Sequence, residues 1–295
     1  MCQPGELTMR DIFDIGTVMR VARAAIAVPA ATAAAVTGVF LSLLPITAAP
    51  ARAAQALAGA PACSATAGST RVPVVELYTS EGCSSCPPAD RWLAALAASA
   101  LGEQVLALAL HVDYWDRLGW PDRFADRRFT DRQRRLARAG GLRTIYTPQV
   151  VVDGRDFPRW SNGPAAVARL AASAREPSPL RLDLEARRGN GPIMLSVTVS
   201  PRTGAQAPEW TLVTGLTQDG LASDVARGEN AGRRLKHDRV VRDWQVQPDS
   251  RVGSNHRTIR QPDSASDVDL RVFAMAVDAA GRPIQAVSCA LPAIL

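Results

Sequence analysis

Apolar and polar positions change their period along the chain, and the change divides it into two parts. In the first part, continuous apolar runs of strand length alternate with segments that have the three-to-four-residue apolar period of a helix. Such alternation indicates a parallel α/β core. The predicted elements are a strand over Val72–Thr79, a helix over Pro87–Ala100, a strand over Val105–Val112, a charged helix over Asp122–Gly140, a short strand over Gln149–Val152 with a hairpin turn over Val152–Arg155, and a helix over Pro164–Ala174.

Beyond Glu176-Pro177, the apolar residues alternate with polar ones, which is typical of strands with one buried face. Several such strands, separated by Gly, Pro and Asp turns, indicate a β-sandwich or a small antiparallel sheet. We therefore predict an α/β domain over residues 71–177 and a β-rich domain over residues 178–295. The alternating segments are Leu180–Ala186, Ile193–Ser200, Trp210–Leu216, Arg239–Val246, Leu270–Val277 and Ile284–Ala290.

Residues 1–53 have the features of a cleaved secretory signal peptide. Arg20 and Arg23 precede an uncharged stretch over residues 24–49, and Ala51-Arg52-Ala53 matches an A-x-A cleavage site. The stretch is also long enough to be an uncleaved anchor, although its prolines favour cleavage. We expect residues 54–70 to form a flexible lead-in. The mature protein is expected in the bacterial periplasm or outside the cell, without stable membrane insertion.

Composition and charge narrow the class of partner. The 295 residues are 47% hydrophobic and carry a formal net charge of +6, as in an ordinary, mildly basic globular protein. The arginines are scattered and have no interleaved aromatic residues, so we expect no nucleic-acid partner. Neither a G-x-G-x-x-G turn after a strand nor a phosphate-binding loop occurs in the sequence, and we expect no cofactor.

The most reactive residues of the chain lie in Cys83-Ser84-Ser85-Cys86, which follows the first predicted strand and precedes the first helix. Two intervening residues allow one helical turn to bring the sulfurs together as a reversible disulfide. The dipole and the unpaired N–H groups of a helix N-terminus stabilise a thiolate, which is the reactive form of cysteine. The position predicts a redox pair in which Cys83, the more exposed cysteine, attacks and Cys86 resolves.

The order of strand, cysteine pair and helix resembles the thioredoxin fold. In that superfamily a cis-proline faces the cysteines, and Thr147-Pro148 occupies the matching place in the chain. The resemblance implies that Pro148 is cis and packs beside the sulfurs; a trans proline that opens a strand is the alternative. Relatives often have a buried acid on the preceding strand as a proton relay. Glu76 lies one residue out of register for that role, so pairing with an arginine is the alternative.

Polar residues at the end of the second predicted strand are candidates to support the cysteines. His111 and Asp113 follow an apolar run, and the carboxyl ends of neighbouring parallel strands share one sheet edge. We therefore expect both near Cys83, where His111 could transfer protons or bind a metal; a structural role in the following loop is the alternative. Glu81, two residues before Cys83, is expected to be exposed.

Four longer motifs extend this pattern. They are Val-Glu-Leu-Tyr-Thr-Ser-Glu-Gly-Cys-Ser-Ser-Cys-Pro-Pro-Ala-Asp from residue 75, His-Val-Asp-Tyr-Trp-Asp from residue 111 with a following Leu-Gly-Trp, Tyr-Thr-Pro-Gln-Val-Val-Val-Asp-Gly from residue 146, and Arg-Gly-Glu-Asn-Ala-Gly-Arg from residue 227. Over residues 72–290 the chain resembles the DUF1223 family of exported bacterial proteins, which have a thioredoxin-like part, a β-rich part and no assigned function. The resemblance implies the motif positions Cys83, Cys86, His111, Asp113, Pro148, Glu229, Asn230 and His237.

The fourth motif lies in the β-rich part, where its glycines suit a loop. One interpretation is a structural loop in which Arg233 pairs with Glu229 and Asn230 bonds across the loop. The other is that this loop, with Glu229, Asn230 and the nearby His237, covers the cysteine site and sets its specificity.

Two further cysteines lie near the ends of the mature chain, at Cys63 and Cys289. In an oxidising compartment a disulfide between them would tie the ends together. Two unpaired cysteines are the alternative.

Three functions are consistent with these residues. The first is a cell-envelope thiol–disulfide oxidoreductase that acts on a protein or small-molecule substrate through Cys83, Cys86 and Pro148. The second is a periplasmic copper- or zinc-binding protein with Cys83, Cys86 and His111 as ligands and Asp113 as a fourth. The third is a non-catalytic binding module in which the cysteine pair stays oxidised.

Overall fold

Strands dominate the computed structural model, which describes residues 62–188, 191–205, 208–247, 252–262 and 269–292. Of these residues, 41% lie in strands and 19% in helices, and they belong to one compact unit. The predicted signal peptide and residues 54–61 of the predicted lead-in lie outside the described residues. Within the described ranges, no helix has both the length and the apolar character needed to cross a membrane.

The secondary-structure elements follow the predicted runs closely, with strands added between them. In chain order they are β1 (Cys63–Thr66), β2 (Val74–Thr79), α1 (Pro87–Ala98), β3 (Leu106–His111), a 3₁₀ helix (Asp113–Leu118), α2 (Arg127–Ala139), β4 (Gln149–Val152), β5 (Arg155–Asp156), α3 (Gly163–Ser173), β6 (Leu180–Arg187), β7 (Ile193–Pro201), β8 (Thr211–Gln218), β9 (Leu221–Asp224), β10 (Arg234–His237), β11 (Val240–Gln247), β12 (Gly253–Ile259), β13 (Leu270–Val277) and β14 (Pro283–Leu291).

An eight-stranded sheet combines strands from both parts of the chain. Its order is β14-β13-β8-β11-β3-β2-β4-β5, so four strands from after residue 177 continue four strands from before it. The strand β3 is parallel to β2 on one side and to β11 on the other. A second, antiparallel sheet has the order β1-β6-β7-β12, and β9 pairs with β10 separately.

The predicted fold class, a thioredoxin-like α/β domain followed by a sandwich-like β-rich domain, is wrong. The described residues form a β-rich structure of several, mostly sandwich-like sheets, without an evident thioredoxin-like α/β arrangement. The physical reason is the pairing of β11 with β3, where Val240 faces Ala109 and the N–H of Ala109 donates to the carbonyl of Arg239. Local periodicity reports which face of a strand is buried, but not which distant strand lies beside it.

Both faces of the eight-stranded sheet are covered. The helix α2 packs on one face through Phe129 and Leu136. On the other face, α1 and α3 pack through Leu93 and Leu170, and the four-stranded sheet packs against β8, β13 and β14. Strands that are covered on both faces have continuous apolar runs, which explains why Phe273 in β13 is as deeply buried as its neighbours in the strand.

A disulfide joins Cys63 in β1 to Cys289 in β14, which confirms the predicted pairing. The bond connects the two large sheets, because β1 belongs to the four-stranded sheet and β14 lies at the edge of the eight-stranded one. The strand β1 occupies four residues of the segment that we expected to be a flexible lead-in, and it pairs with β6 from Cys63 to Thr66.

Candidate functional site

The strand β2 leads into a tight turn that places the cysteine pair at the start of α1. The N–H of Cys83 donates to the carbonyl of Ser80, and the N–H of Cys86 donates to the carbonyl of Cys83, at 3.1 and 3.2 Å. Cys86 is the N-cap residue of α1, and Pro87 is the first helical residue, where a missing N–H costs little. A disulfide joins Cys83 to Cys86, whose Cα atoms are 5.4 Å apart.

Both cysteines of the pair are buried, so the expectation that Cys83 is the more exposed one is wrong. Each has an exposed fraction of 0%, whereas Ser84 and Ser85 between them are exposed. The hydroxyl of Ser85 lies 3.4 Å from the sulfur of Cys83. The two serines are therefore the part of the motif that faces solvent.

A loop from the second part of the chain covers this turn. We call residues 225–233, between β9 and β10, the cap. Glu229 Oε2 accepts hydrogen bonds from the N–H of Ser84 at 3.0 Å and from its Oγ at 2.6 Å. The buried side chain of Asn230 donates through Nδ2 to the carbonyls of Glu81 at 2.9 Å and of Cys83 at 3.0 Å. The cap thus binds the turn of the cysteines, in line with the position given by the second interpretation; its effect on specificity stays a prediction.

The cap has its own internal bonds. Gly228 and Gly232 have φ values of 77° and 79°, a left-handed conformation that glycine adopts without steric cost. The N–H of Gly232 donates to the carbonyl of Val225. Arg233 donates to Asn230 Oδ1 at 2.7 Å, so the predicted pairing of Arg233 with Glu229 is wrong. Arg233 instead orients the amide that binds the turn of the cysteines.

Two histidines and two carboxylates form a buried group next to the same turn. His111 Nδ1 lies 2.7 Å from Asp122 Oδ2, and His237 Nε2 lies 3.2 Å from Glu81 Oε1. The two imidazole rings are 5.0 Å apart between centroids, and the ring of Phe124 packs against both. We call Glu81, His111, Asp122 and His237 the histidine–carboxylate cluster.

The expectation that Glu81 is exposed is wrong, since its side chain is buried. Trp120 donates to its Oε2 at 2.7 Å, and the backbone N–H of Glu81 donates to Asp122 at 2.8 Å. Burial raises the pKa of the Glu81 carboxyl, but His237 and Trp120 outweigh this effect and hold the pKa below its usual value. Glu81 therefore stays ionised beside the cysteine turn at neutral pH.

His111 and Asp122 stabilise each other's charged forms. Burial lowers the pKa of His111, but the adjacent Asp122 carboxylate outweighs it, so that the pKa is raised above the usual value. Burial raises the pKa of Asp122, but the charge and hydrogen bond of His111 outweigh it and lower the pKa. Within the described residues, His111 Nε2 and both ring nitrogens of His237 are buried without hydrogen-bond partners, although His237 Nε2 lies within ion-pair distance of Glu81.

Asp90 is a further carboxyl group near the cluster. It accepts a hydrogen bond from Thr79 Oγ1 at 2.8 Å. Burial raises the pKa of Asp90, and the nearby His111 and His237 reduce this effect without cancelling it. Asp90 follows Cys86 by four residues, a spacing that puts both side chains on one face of α1.

Two predicted support residues lie outside the cluster. Glu76 forms a buried ion pair with Arg132 of α2, with 2.5 Å between Oε1 and Nη2, and accepts a hydrogen bond from Tyr78. This confirms the alternative in which Glu76 pairs with an arginine. Asp113 accepts a hydrogen bond from Thr130 Oγ1 at 2.5 Å, so it holds the 3₁₀ helix against α2. The partner of His111 is Asp122, which the sequence analysis did not select.

The peptide bond between Thr147 and Pro148 is cis, which confirms that prediction. Thr147 Oγ1 accepts a hydrogen bond from Trp115 at 2.8 Å. Trp115 also packs close to the cysteine turn, because a Cβ on Gly82 would lie 3.2 Å from the Cβ of Trp115. Trp115 thus connects the loop of Pro148 to that turn; the packing of Pro148 beside the sulfurs stays a prediction.

The residues suggested as metal ligands serve other bonds in this structure. Cys83 and Cys86 are bonded to each other, and His111 pairs with Asp122. Across the described ranges, no group of three or more His, Cys, Asp or Glu side chains is arranged to hold a metal ion.

Comparisons with known proteins identify a family and solved structures of similar fold. The sequence model of a family described as "Protein of unknown function (DUF1223)" matches residues 74–277. The crystal structure of protein AGR_C_4864 from Agrobacterium tumefaciens is 26% identical, with a TM-score of 0.53 over 78% of this chain and 98% of that one. HBP35 of Porphyromonas gingivalis has a TM-score of 0.56 over 76% of each chain at 13% identity, which is a likeness of fold alone. No curated protein matches.

Proposed function

Because this chain belongs to the DUF1223 family, whose description names no activity, we propose from the site alone that it is a thiol–disulfide oxidoreductase of the cell envelope. The observation that carries the proposal is a Cys-x-x-Cys disulfide at the N-terminus of α1 beside a buried cluster of two histidines and two carboxylates. Buried titratable groups with shifted pKa values occur preferentially at functional sites.

The reaction is a two-electron exchange of sulfur bonds. A substrate thiolate attacks the Cys83–Cys86 bond, forms a mixed disulfide with one cysteine and releases the other as a thiolate. A second substrate thiol displaces the first cysteine, so the substrate leaves as a disulfide and both cysteines are reduced. The two thiol protons of the substrate pass to the cysteines. In the reverse direction, Cys83 attacks a substrate disulfide and Cys86 resolves the mixed disulfide.

The environment of the sulfurs supports Cys83 as the attacking residue. The Ser85 hydroxyl lies 3.4 Å from Cys83 Sγ and can donate a hydrogen bond to a thiolate there, which lowers the pKa of the thiol. Cys86 is the N-cap residue of α1, and its carbonyl accepts from the N–H groups of Ala89 and Asp90. Cys86 is thus fixed to the helix, as suits a resolving residue.

The second disulfide supports the compartment in the proposal. Disulfides that connect distant parts of a chain persist in oxidising environments and are rare in the cytosol. The bond between Cys63 and Cys289 links two sheets across a separation of 226 residues. An exported protein is the simplest host for such a bond.

One observation favours a second function. Both cysteines are buried, and the cap binds the turn that carries them, as suits a non-catalytic binding module with a permanently closed disulfide. The two functions differ in whether Cys83 reacts in the folded protein.

A trapping experiment separates these functions. We expect the Cys86→Ser variant, incubated with oxidised glutathione, to form a mixed disulfide at Cys83, because the resolving thiol is missing. Mass spectrometry of the intact protein detects the adduct. The Cys83→Ser variant is the matched control, and we expect it to form little adduct, because Cys86 lacks the contact with Ser85. A Cys83 that stays unmodified in folded Cys86→Ser protein but reacts after denaturation would support the binding module.

A further inference from the structure

We propose that the cap is a specificity gate with Glu229 as its latch, so that the Cys83–Cys86 pair exchanges with small-molecule thiols in preference to protein thiols. The inference rests on the proposed function and names the substrate class of the same site. It starts from the position of a loop of the β-rich part over the cysteine turn.

The gate is closed in this structure by hydrogen bonds to the residues on either side of Cys83 and to Cys83 itself. Glu229 accepts hydrogen bonds from the N–H and the hydroxyl of Ser84, a residue that lies between the cysteines. The side-chain amide of Asn230 donates hydrogen bonds to the carbonyls of Glu81 and Cys83. With both sulfurs at 0% exposure, a thiolate reaches them only after some of these bonds open.

The two residues of the gate differ in burial, and the difference assigns the latch. Asn230 is fully buried, and Arg233 holds its amide. Glu229 is exposed, so water can replace its partners when its bonds to Ser84 break. Hydrogen bonds of an exposed group open at lower cost than those of a buried one. Opening therefore starts at Glu229, with Asn230 still in place.

The cap is supported behind Glu229, which limits how far it opens. A Cβ on Gly228 would lie 3.3 Å from the Cβ of Trp120, and Trp120 donates to the buried Glu81. Release of Glu229 alone thus frees the N–H and the hydroxyl of Ser84 without displacing the cap from Trp120. A small thiol needs only this opening, whereas a cysteine on a folded protein also has to displace the cap.

The test compares reduction of Cys83–Cys86 in the full chain by dithiothreitol and by reduced thioredoxin, a protein dithiol. Samples are alkylated at intervals, and mass spectrometry follows both cysteines. We compare the wild type with Glu229→Ala, and with Glu185→Ala as a matched control. Glu185 is an exposed residue of β6 outside the cap. Thermal unfolding shows whether each variant is folded.

We expect Glu229→Ala to increase the rate with dithiothreitol about tenfold, because release of Glu229 is the only opening that a small thiol needs. The rate with reduced thioredoxin is expected to increase only about twofold, because the protein dithiol still has to displace the cap held by Asn230. Glu185→Ala is expected to match the wild type with both reductants. Equal acceleration with both reductants, or no acceleration, would overturn the gate. If neither reductant opens the disulfide in any folded variant, the oxidoreductase proposal fails as well. If dithiothreitol reduces the wild type but Glu229→Ala does not change the ratio of the two reduction rates, only the gate proposal fails.

Discussion

The two disulfides of this protein differ in almost every property that bears on their roles. Cys63–Cys289 closes a separation of 226 residues and ties two sheets together within an apolar core. Cys83–Cys86 closes a separation of three residues, beside two ion pairs that involve buried histidines. The first bond constrains the chain between residues 63 and 289, whereas the second lies in a turn that also carries the buried carboxylate Glu81.

The comparison shows that burial alone does not identify a structural disulfide. Cys289 is 8% exposed and the Cys83–Cys86 pair is 0% exposed, so the proposed redox pair is the more buried of the two. What distinguishes them is the kind of neighbour. Near Cys289 lie Val287 and Leu291, while Cys83 contacts a hydroxyl and a buried amide at the start of a helix. The predictions that follow test this contrast, beginning with the largest effect.

Removal of the long-range disulfide is expected to have the largest effect on stability. In the chain-entropy treatment, the bond between Cys63 and Cys289 contributes about 5 kcal/mol, because it closes a long loop, while the short Cys83–Cys86 loop contributes about 2 kcal/mol. We expect Cys63→Ser/Cys289→Ser to lower the free energy of unfolding in urea by more than Cys83→Ser/Cys86→Ser does. Equal losses of unfolding free energy in the two variants, or a larger loss without Cys83–Cys86, would contradict the structural role assigned to Cys63–Cys289.

The Glu76–Arg132 pair is expected to contribute to stability but not to redox chemistry. Glu76→Gln leaves the buried guanidinium of Arg132 without its anionic partner, which we expect to cost about 3 kcal/mol in the free energy of unfolding. The reduction potential of Cys83–Cys86 should not change, because Glu76 lies outside the histidine–carboxylate cluster. Glu185→Gln, at an exposed site, is the control. A shift in the reduction potential of Cys83–Cys86 in the Glu76→Gln variant would instead support Glu76 as a proton relay.

The pair of His111 and Asp122 predicts a pH-dependent penalty for Asp122→Asn. The raised pKa of His111 gives stability that is present below its ordinary pKa and is lost as pH rises through the raised value. The lowered pKa of Asp122 gives stability that is present above its ordinary pKa and is lost on acidification. Both contribute between about pH 4 and pH 6.5.

We therefore expect Asp122→Asn to cost about 2 kcal/mol near pH 5.5, where a buried imidazolium loses its partner, and about 1 kcal/mol near pH 9, where His111 is neutral. Urea unfolding at the two pH values measures both. His256 lies in β12, outside the cluster, and His256→Asn is the control variant. Equal penalties at both pH values would show that the pair is not charged in the folded protein.

The smallest expected effect concerns Ser85. In a Cys86→Ser background, Ser85→Ala removes the hydroxyl next to the Cys83 sulfur and should raise the pKa of the Cys83 thiol by about 0.5. The pH dependence of alkylation by iodoacetamide gives this pKa. Ser99→Ala, at the far end of α1, serves as the control. An unchanged pKa would mean that the contact does not stabilise the thiolate.

The sequence was informative where the signal is local. The strand of Val72–Thr79, the helix that begins at Pro87 and the alternating strands beyond residue 177 all occur close to their predicted bounds. The cis peptide bond of Thr147-Pro148 was implied by the thioredoxin resemblance, and the pairing of Cys63 with Cys289 was one of two alternatives left open. The helices and strands depend on periodicity, and the disulfide depends on the chemistry of cysteine in an oxidising compartment.

The errors arose where distant segments meet. No local pattern shows that β11 lies beside β3, which is why the fold class was wrong. Glu81, two residues before Cys83, was expected to be exposed, but Trp120 and His237 contact its carboxylate. Asp122 was missed for the same reason, since its role depends on contact with His111. The Leu-Gly-Trp motif that precedes Asp122 was the available signal. The contacts of Trp120 with Glu81 and of Asp122 with His111 depend on the fold and cannot be read from the motif.

The measurement that tests the central claim most directly is the redox equilibrium of the two disulfides in one sample of the folded protein. The protein is equilibrated in glutathione buffers of graded potential, alkylated and digested, so that each cysteine pair is followed separately by mass spectrometry. We predict that Cys83–Cys86 titrates as a two-electron couple between about −270 and −120 mV. Cys63–Cys289 is predicted to have a reduction potential below about −300 mV and therefore to stay oxidised throughout the series. A Cys83–Cys86 bond that stays closed together with Cys63–Cys289 over the whole series would contradict the account.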